Sequence, residues 1–179
     1  QNRNRIILVV VMIIIIVGLV LISHNKKTTY FEKVTVPTDN EVYNRTNHSY
    51  MDTIILIGLD ELNIKGVAVL ITPLTIPVNG IEGIEINAFI RRYSSTKYLI
   101  EIGEFSRSMV MDILSHELLH LHQYHTQRLQ INSTSIKWYD RVYIDDIPTY
   151  FKRPWEIEAE GLGRILEVKI KSRLYKDVE

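Results

Sequence analysis

The chain has 179 residues, enough for one domain of ordinary size and a short appendage but not for two full domains. Its 21 basic and 21 acidic residues cancel, which removes any global electrostatic argument for nucleic-acid binding. There is no cysteine, so a disulfide framework, a thiolate nucleophile and a cysteine-ligated zinc knuckle are all excluded.

After QNRNR comes IILVVVMIIIIVGLVLI, Ile6 to Ile22, with no charged or strongly polar side chain. As a helix this run is roughly 25 Å long, near the lower limit for a bilayer core. The residues that follow, SHNKK, contain no small-x-small cleavage signal, so residues 1–27 are expected to be an uncleaved membrane anchor, in contact with the lipid bilayer through residues 6–22. A soluble domain this small could hardly cover such a helix on every side. Basic residues flank the run on both sides, at Arg3, Arg5, Lys26 and Lys27. A short basic N-terminal segment tends to stay in the cytoplasm, which predicts a single-pass membrane protein with an extracytoplasmic domain.

Residues 28–52 are polar and rich in turn formers, and read as a stalk or linker. The domain proper is expected over 53–179. TIILIGL and GVAVLIT are short, apolar and β-branched, as strands are. GIEINAFIRRY and KYLIEIG, separated by SST, alternate apolar and polar residues and predict an antiparallel hairpin with one buried face. At Ser106 the period changes. Met109, Ile113, Leu114, Leu118 and Leu121 recur at helical spacing, Ser106 or Ser108 can cap the start, and the helix is expected to run to about Leu129. An irregular, aromatic-rich connection follows. The last element, PWEIEAEGLGRILEVKIKSRLY, has proline at a first helical position, glutamates in its first half and basic residues in its second. Gly161 and Gly163 within it suggest close packing against another helix. The expected class is α+β: a single N-terminal transmembrane helix, then a small mostly antiparallel sheet, an active-site helix and a further helix.

The central helix carries the chemistry. Four of the chain's six histidines fall between positions 116 and 125. HELLH sets His116 and His120 four residues apart, on one helix face, where two imidazoles can converge on one ion. Glu117 is one position, roughly 100°, around the helix, beside the ion but not bound to it. Two neutral imidazoles suit zinc, and the adjacent carboxylate suits proton transfer from a water activated by the ion. A catalytic zinc needs a third protein ligand and an open position. The pattern HExxHxxGxxH fails, because positions 123 and 126 are Gln123 and Thr126, and His125 is one residue out of register. The other source is a carboxylate on a later helix. EIEAE supplies Glu156 and Glu160, four apart on one face, and either could be the ligand.

HELLH followed about 36 residues later by EIEAE resembles the gluzincin clan of zinc metallopeptidases. The closest pattern is the ExEAD of the HtpX-like membrane peptidases, and the likeness covers roughly residues 106–167. It implies Glu156 as the third zinc ligand, with Glu160 where the family has the aspartate that supports a ligand histidine from behind. Glu for Asp is a departure, since the longer arm must fold differently to reach the same imidazole. The likeness does not extend to the anchor, because those families have several spans. It also implies that an edge strand above the zinc pairs with an extended peptide, with AFIRRYSSTKYLIEI as the candidate.

His122 and His125 read as solvated or packing residues, and Glu158 as a surface carboxylate. Tyr139, Tyr143 and Tyr150 are equal candidates for donating a hydrogen bond to an oxyanion. The expected function is a membrane-anchored zinc metalloendopeptidase, with Glu117 as general base and Zn2+ on His116, His120 and Glu156. The alternative is a membrane-tethered zinc-binding or interaction protein that hydrolyses nothing. The intact Glu117 favours the enzyme, and the partner implied is a peptide or protein substrate.

Overall fold

The run TIILIGL, expected to be a strand, lies in a helix. In the computed structural model the described residues are 39–74, 78–79, 85–144 and 146–176, all within one compact unit, Val36–Glu179. The elements run β1 (Glu41–Asn44), α1 (Tyr50–Glu61), β2 (Ala68–Pro73), β3 (Val78–Asn79), β4 (Glu85–Ile86), β5 (Ala88–Arg92) and β6 (Lys97–Ile102). They continue with α2 (Arg107–His125), β7 (Leu129–Ile131), β8 (Ile136–Trp138), β9 (Arg141–Tyr143), a 3-10 turn (Tyr150–Lys152) and α3 (Pro154–Leu174).

The misreading of TIILIGL has a physical cause. Met51, Ile54, Ile55, Ile57, Gly58 and Leu59 are all buried, because α1 packs against β1, α2 and α3 together. A helix covered on nearly every side shows no 3.6-residue stripe, and a short continuous apolar run then looks like a buried strand.

That helix also changes the sheet. The main sheet has the order β1-β2-β6-β5. Strands β1 and β2 are parallel, as are β2 and β6, while β5 joins β6 antiparallel at the edge. The sheet is therefore mixed, not mostly antiparallel. With α1 between them, β1 and β2 are joined by a crossover, and a crossover connects parallel strands. Within the segment read as a stalk, Glu41–Asn44 forms β1, so the sheet draws on chain before residue 53.

The β5/β6 hairpin is as expected, with Ile90 opposite Ile100. Helix α2 is the central helix but ends at His125, where Gln127 turns the chain at φ 59° into β7. The aromatic-rich connection begins as a three-stranded antiparallel ribbon, β7-β8-β9. Helix α3 starts at Pro154 as expected and packs along α2.

The expected membrane span at residues 6–22 lies outside the described residues. Among the described residues no helix is long and apolar enough to cross a membrane. Helices α2 and α3 are long enough, but polar and charged residues interrupt both. The expectation of a single-pass membrane protein, with its extracytoplasmic placement, is withdrawn on this finding.

Candidate metal centre

Helix α2 sets His116 and His120 one turn apart, with ring centroids separated by 4.7 Å and planes at 83°. Their Nε2 atoms are 3.0 Å from each other. Glu156, in the first turn of α3, brings Oε2 to 3.2 Å from His120 Nε2 and 3.4 Å from His116 Nε2. Three ligand-type atoms thus form a small triangle. A tetrahedral zinc with bonds of about 2.0–2.1 Å spaces its ligand atoms roughly 3.3–3.4 Å apart, so the triangle fits such an ion. Among the described residues this is the group of histidines and carboxylates able to hold a metal.

The approach of the two helices depends on Gly163. A Cβ there would lie 3.4 Å from the backbone N and Cα of His116. The absence of a side chain lets α3 lie directly against the ligand turn of α2.

The electrostatics match the geometry. Burial raises the pKa of the Glu156 carboxyl, but hydrogen bonds to His116 and His120 outweigh it and hold it well below the usual carboxylate range. Burial works against the charged form of His120, yet the hydrogen bond and charge of Glu156, helped by Glu117, push its pKa up to about 9. A site that attracts protons this strongly presents concentrated negative potential to a cation.

Glu117 is 6% exposed and is not one of the three converging groups. Burial pushes its carboxyl up, His120 and His116 pull it down, and a hydrogen bond from the backbone of Ile90 also favours the charged form. Ile90 belongs to the edge strand. Gly103 N–H donates to Asn87 O and Tyr93 N–H donates to Lys97 O, so the odd-numbered residues here bond to β6. The backbone groups of Ala88, Ile90 and Arg92 therefore point away from β6, to the sheet edge that pairs with no other strand among the described residues. A cleft of about 410 Å³ runs along this edge, lined in part by Phe89, Ile90, Tyr124, Ile131, Tyr150 and Trp155 and opening onto His116, Glu117, His120 and Glu156.

The remaining expected residues divide. Glu160 is 60% exposed on its side chain, pairs with Arg164, and keeps Oε2 at 3.9 Å from His116 Nδ1, beyond hydrogen-bond distance. His122 accepts a hydrogen bond from Arg128 at 3.0 Å, and neither it nor His125 joins the converging group. The three tyrosines are no longer equivalent. Tyr143 is buried against the Trp155 ring, and Tyr139 is half exposed and takes a hydrogen bond from Arg128. Tyr150 lines the cleft, where burial and the neighbouring Glu156 charge push its phenol above the usual value.

Two residues were passed over. Gln123 is fully buried, with Oε1 2.9 Å from His120 Nδ1. Glu158 is no plain surface carboxylate: it accepts from Gln123 at 3.0 Å and from Arg128 at 2.6 Å. The signal for Gln123 was present, since it lies three residues after His120 on the same helix face. Comparison with protein-family models, with curated proteins and with solved structures returns no match, so the candidate metal centre rests on the convergence of His116, His120 and Glu156.

Proposed function

We propose that this protein is a zinc metallopeptidase of gluzincin type, with His116, His120 and Glu156 as the metal ligands and Glu117 as the general base. The observation that carries the reading is the convergence of three ligand atoms within 3.0–3.4 Å of one another, beside a buried carboxylate that takes no part in the triangle. A structural metal site has no need of such a carboxylate, whereas hydrolysis does.

Zinc bound there supplies Lewis acidity, which polarises a carbonyl and makes water a nucleophile at neutral pH. The chain's own groups do the rest. Glu117, raised by burial, accepts a proton from the attacking water and returns it to the leaving amine. The free edge of β5 offers the backbone groups of Ala88 and Arg92 to an extended peptide lying in the cleft. Tyr150 keeps its proton across the physiological range, and its hydroxyl, hydrogen-bonded to Glu156 in the metal-free site, can turn that hydrogen bond to the oxyanion.

The test is elemental analysis of the full chain beside His116→Ala, followed by hydrolysis of an unfolded polypeptide by wild type and Glu117→Gln. The expected result is about one zinc per chain, lost with His116, and cleavage lost with Glu117. No zinc above the His116→Ala control, after reconstitution at neutral pH, overturns the reading. Zinc without Glu117-dependent cleavage makes the protein a non-catalytic zinc binder.

A further inference from the structure

We infer that Gln123 is a positioning residue which fixes the tautomer and orientation of His120, and that Glu158 and Arg128 hold its amide in place; this rests on the metal-centre reading above. The argument starts with the two ends of one buried amide. Gln123 Nε2 lies 2.9 Å from the backbone O of Trp155 and 3.0 Å from Glu158 Oε2. Both neighbours are acceptors only, so the –NH2 end must face them. The opposite assignment would set an oxygen against a carbonyl and a carboxylate in a fully buried site.

Oε1 is thereby committed to His120 Nδ1, 2.9 Å away. An amide oxygen only accepts, so Nδ1 carries the proton. The lone pair of a neutral His120 is then confined to Nε2, the atom that points at His116 Nε2 and Glu156 Oε2. The imidazole is presented in the one tautomer that can bind a metal at the centre of the triangle.

The lock continues outward. Glu158 Oε1 receives Arg128 Nη1 at 2.6 Å, and the same guanidinium nitrogen lies 3.1 Å from the Tyr139 hydroxyl. The ribbon after α2 thus holds Glu158, Glu158 holds the Gln123 amide, and the amide holds His120. Among the described residues His116 has no equivalent, because its Nδ1 neighbour is the exposed Glu160 at 3.9 Å. One ligand is fixed from behind by a buried network and the other is left adjustable.

The experiment has two arms on the full chain. In the zinc-loaded wild type, two-bond 1H–15N correlation of the imidazoles should show His120 coordinated through Nε2, with a slowly exchanging Nδ1–H. Coordination through Nδ1 overturns the inference without any variant. In the second arm, chelator competition and the same imidazole correlation compare wild type with Gln123→Met. Methionine keeps the volume and removes the acceptor, and should weaken zinc binding by about 10- to 100-fold. In Gln123→Met the His120 Nδ1–H, left without the acceptor that Gln123 Oε1 provides, should exchange fast, which a mere packing role would not predict. Zinc bound by Gln123→Met as tightly as by wild type, with His116→Ala still abolishing it, overturns the role of Gln123 and leaves the metal centre standing. A wild type that binds no zinc overturns both.

Discussion

The backbone N–H of Ile90, on the free edge of β5, bonds to the buried carboxylate of Glu117 in α2. The strand proposed to pair with a peptide and the proposed base are therefore held in one frame. Glu117→Gln keeps an oxygen for that N–H and removes the basicity. It should leave zinc content and fold intact and reduce kcat by about 10²- to 10⁴-fold. Steady-state cleavage of an unfolded polypeptide reads this, and a variant as fast as wild type would remove Glu117 from the reaction.

Tyr150 and Tyr139 make a matched pair for the oxyanion. Both are in the same connection, but only Tyr150 lines the cleft. Loss of a single oxyanion donor costs about 10²- to 10³-fold in kcat. Tyr150→Phe should show a loss of that order with KM little changed, and Tyr139→Phe should behave as wild type. Equal effects of the two substitutions on kcat would sink the assignment.

Proton competition gives the centre a pH signature. His120 is pushed up to about 9 by Glu156, from an ordinary 6.5. Zinc must displace that proton at neutral pH, so its affinity should climb with pH up to about 9 and then level off. Calorimetry in two buffers of different ionisation enthalpy should detect the proton released. The sign for stability follows from the same interaction, counted once. A group raised on folding stabilises fully below its unfolded pKa and loses that stabilisation as pH rises through the folded value. Glu156, depressed from 4.5, contributes above that value and loses its contribution as pH falls through its lower folded value. The His120–Glu156 pair should therefore stabilise the metal-free protein most between about pH 4.5 and 6.5, with its contribution to Tm declining towards pH 9. A Tm that rises across that interval would contradict the coupling.

The readability of the sequence varied with the kind of signal. HELLH and EIEAE were legible because helical spacing alone puts His116 beside His120, and Pro154 marks where the second helix must start. The β5/β6 hairpin was legible through its alternation. Burial on nearly all sides hid α1, and with it the parallel half of the sheet, since that topology follows from the crossover it forms. Gln123 was hidden differently. Its spacing from His120 is local, but Trp155 and Glu158, which orient its amide, lie more than 30 residues away in the chain, and no local pattern announces partners at that distance.

The two glycines of α3 look alike in sequence and differ in the structure. A Cβ at Gly161 would meet nothing within 4 Å, whereas one at Gly163 would already touch the backbone of His116 at 3.4 Å. Gly161→Ala should therefore stabilise the protein by about 1 kcal/mol, the ordinary helix-propensity gain, and raise Tm without altering zinc binding. Gly163→Val should do the opposite. Its branched methyls have no room between α3 and the ligand turn, so the helices must part, at about 1–3 kcal/mol. The same separation carries Glu156 away from the two imidazoles, so zinc affinity should fall together with Tm. Thermal unfolding and chelator competition on both variants test this jointly. Zinc affinity unchanged in a destabilised Gly163→Val would mean that the triangle does not depend on this contact.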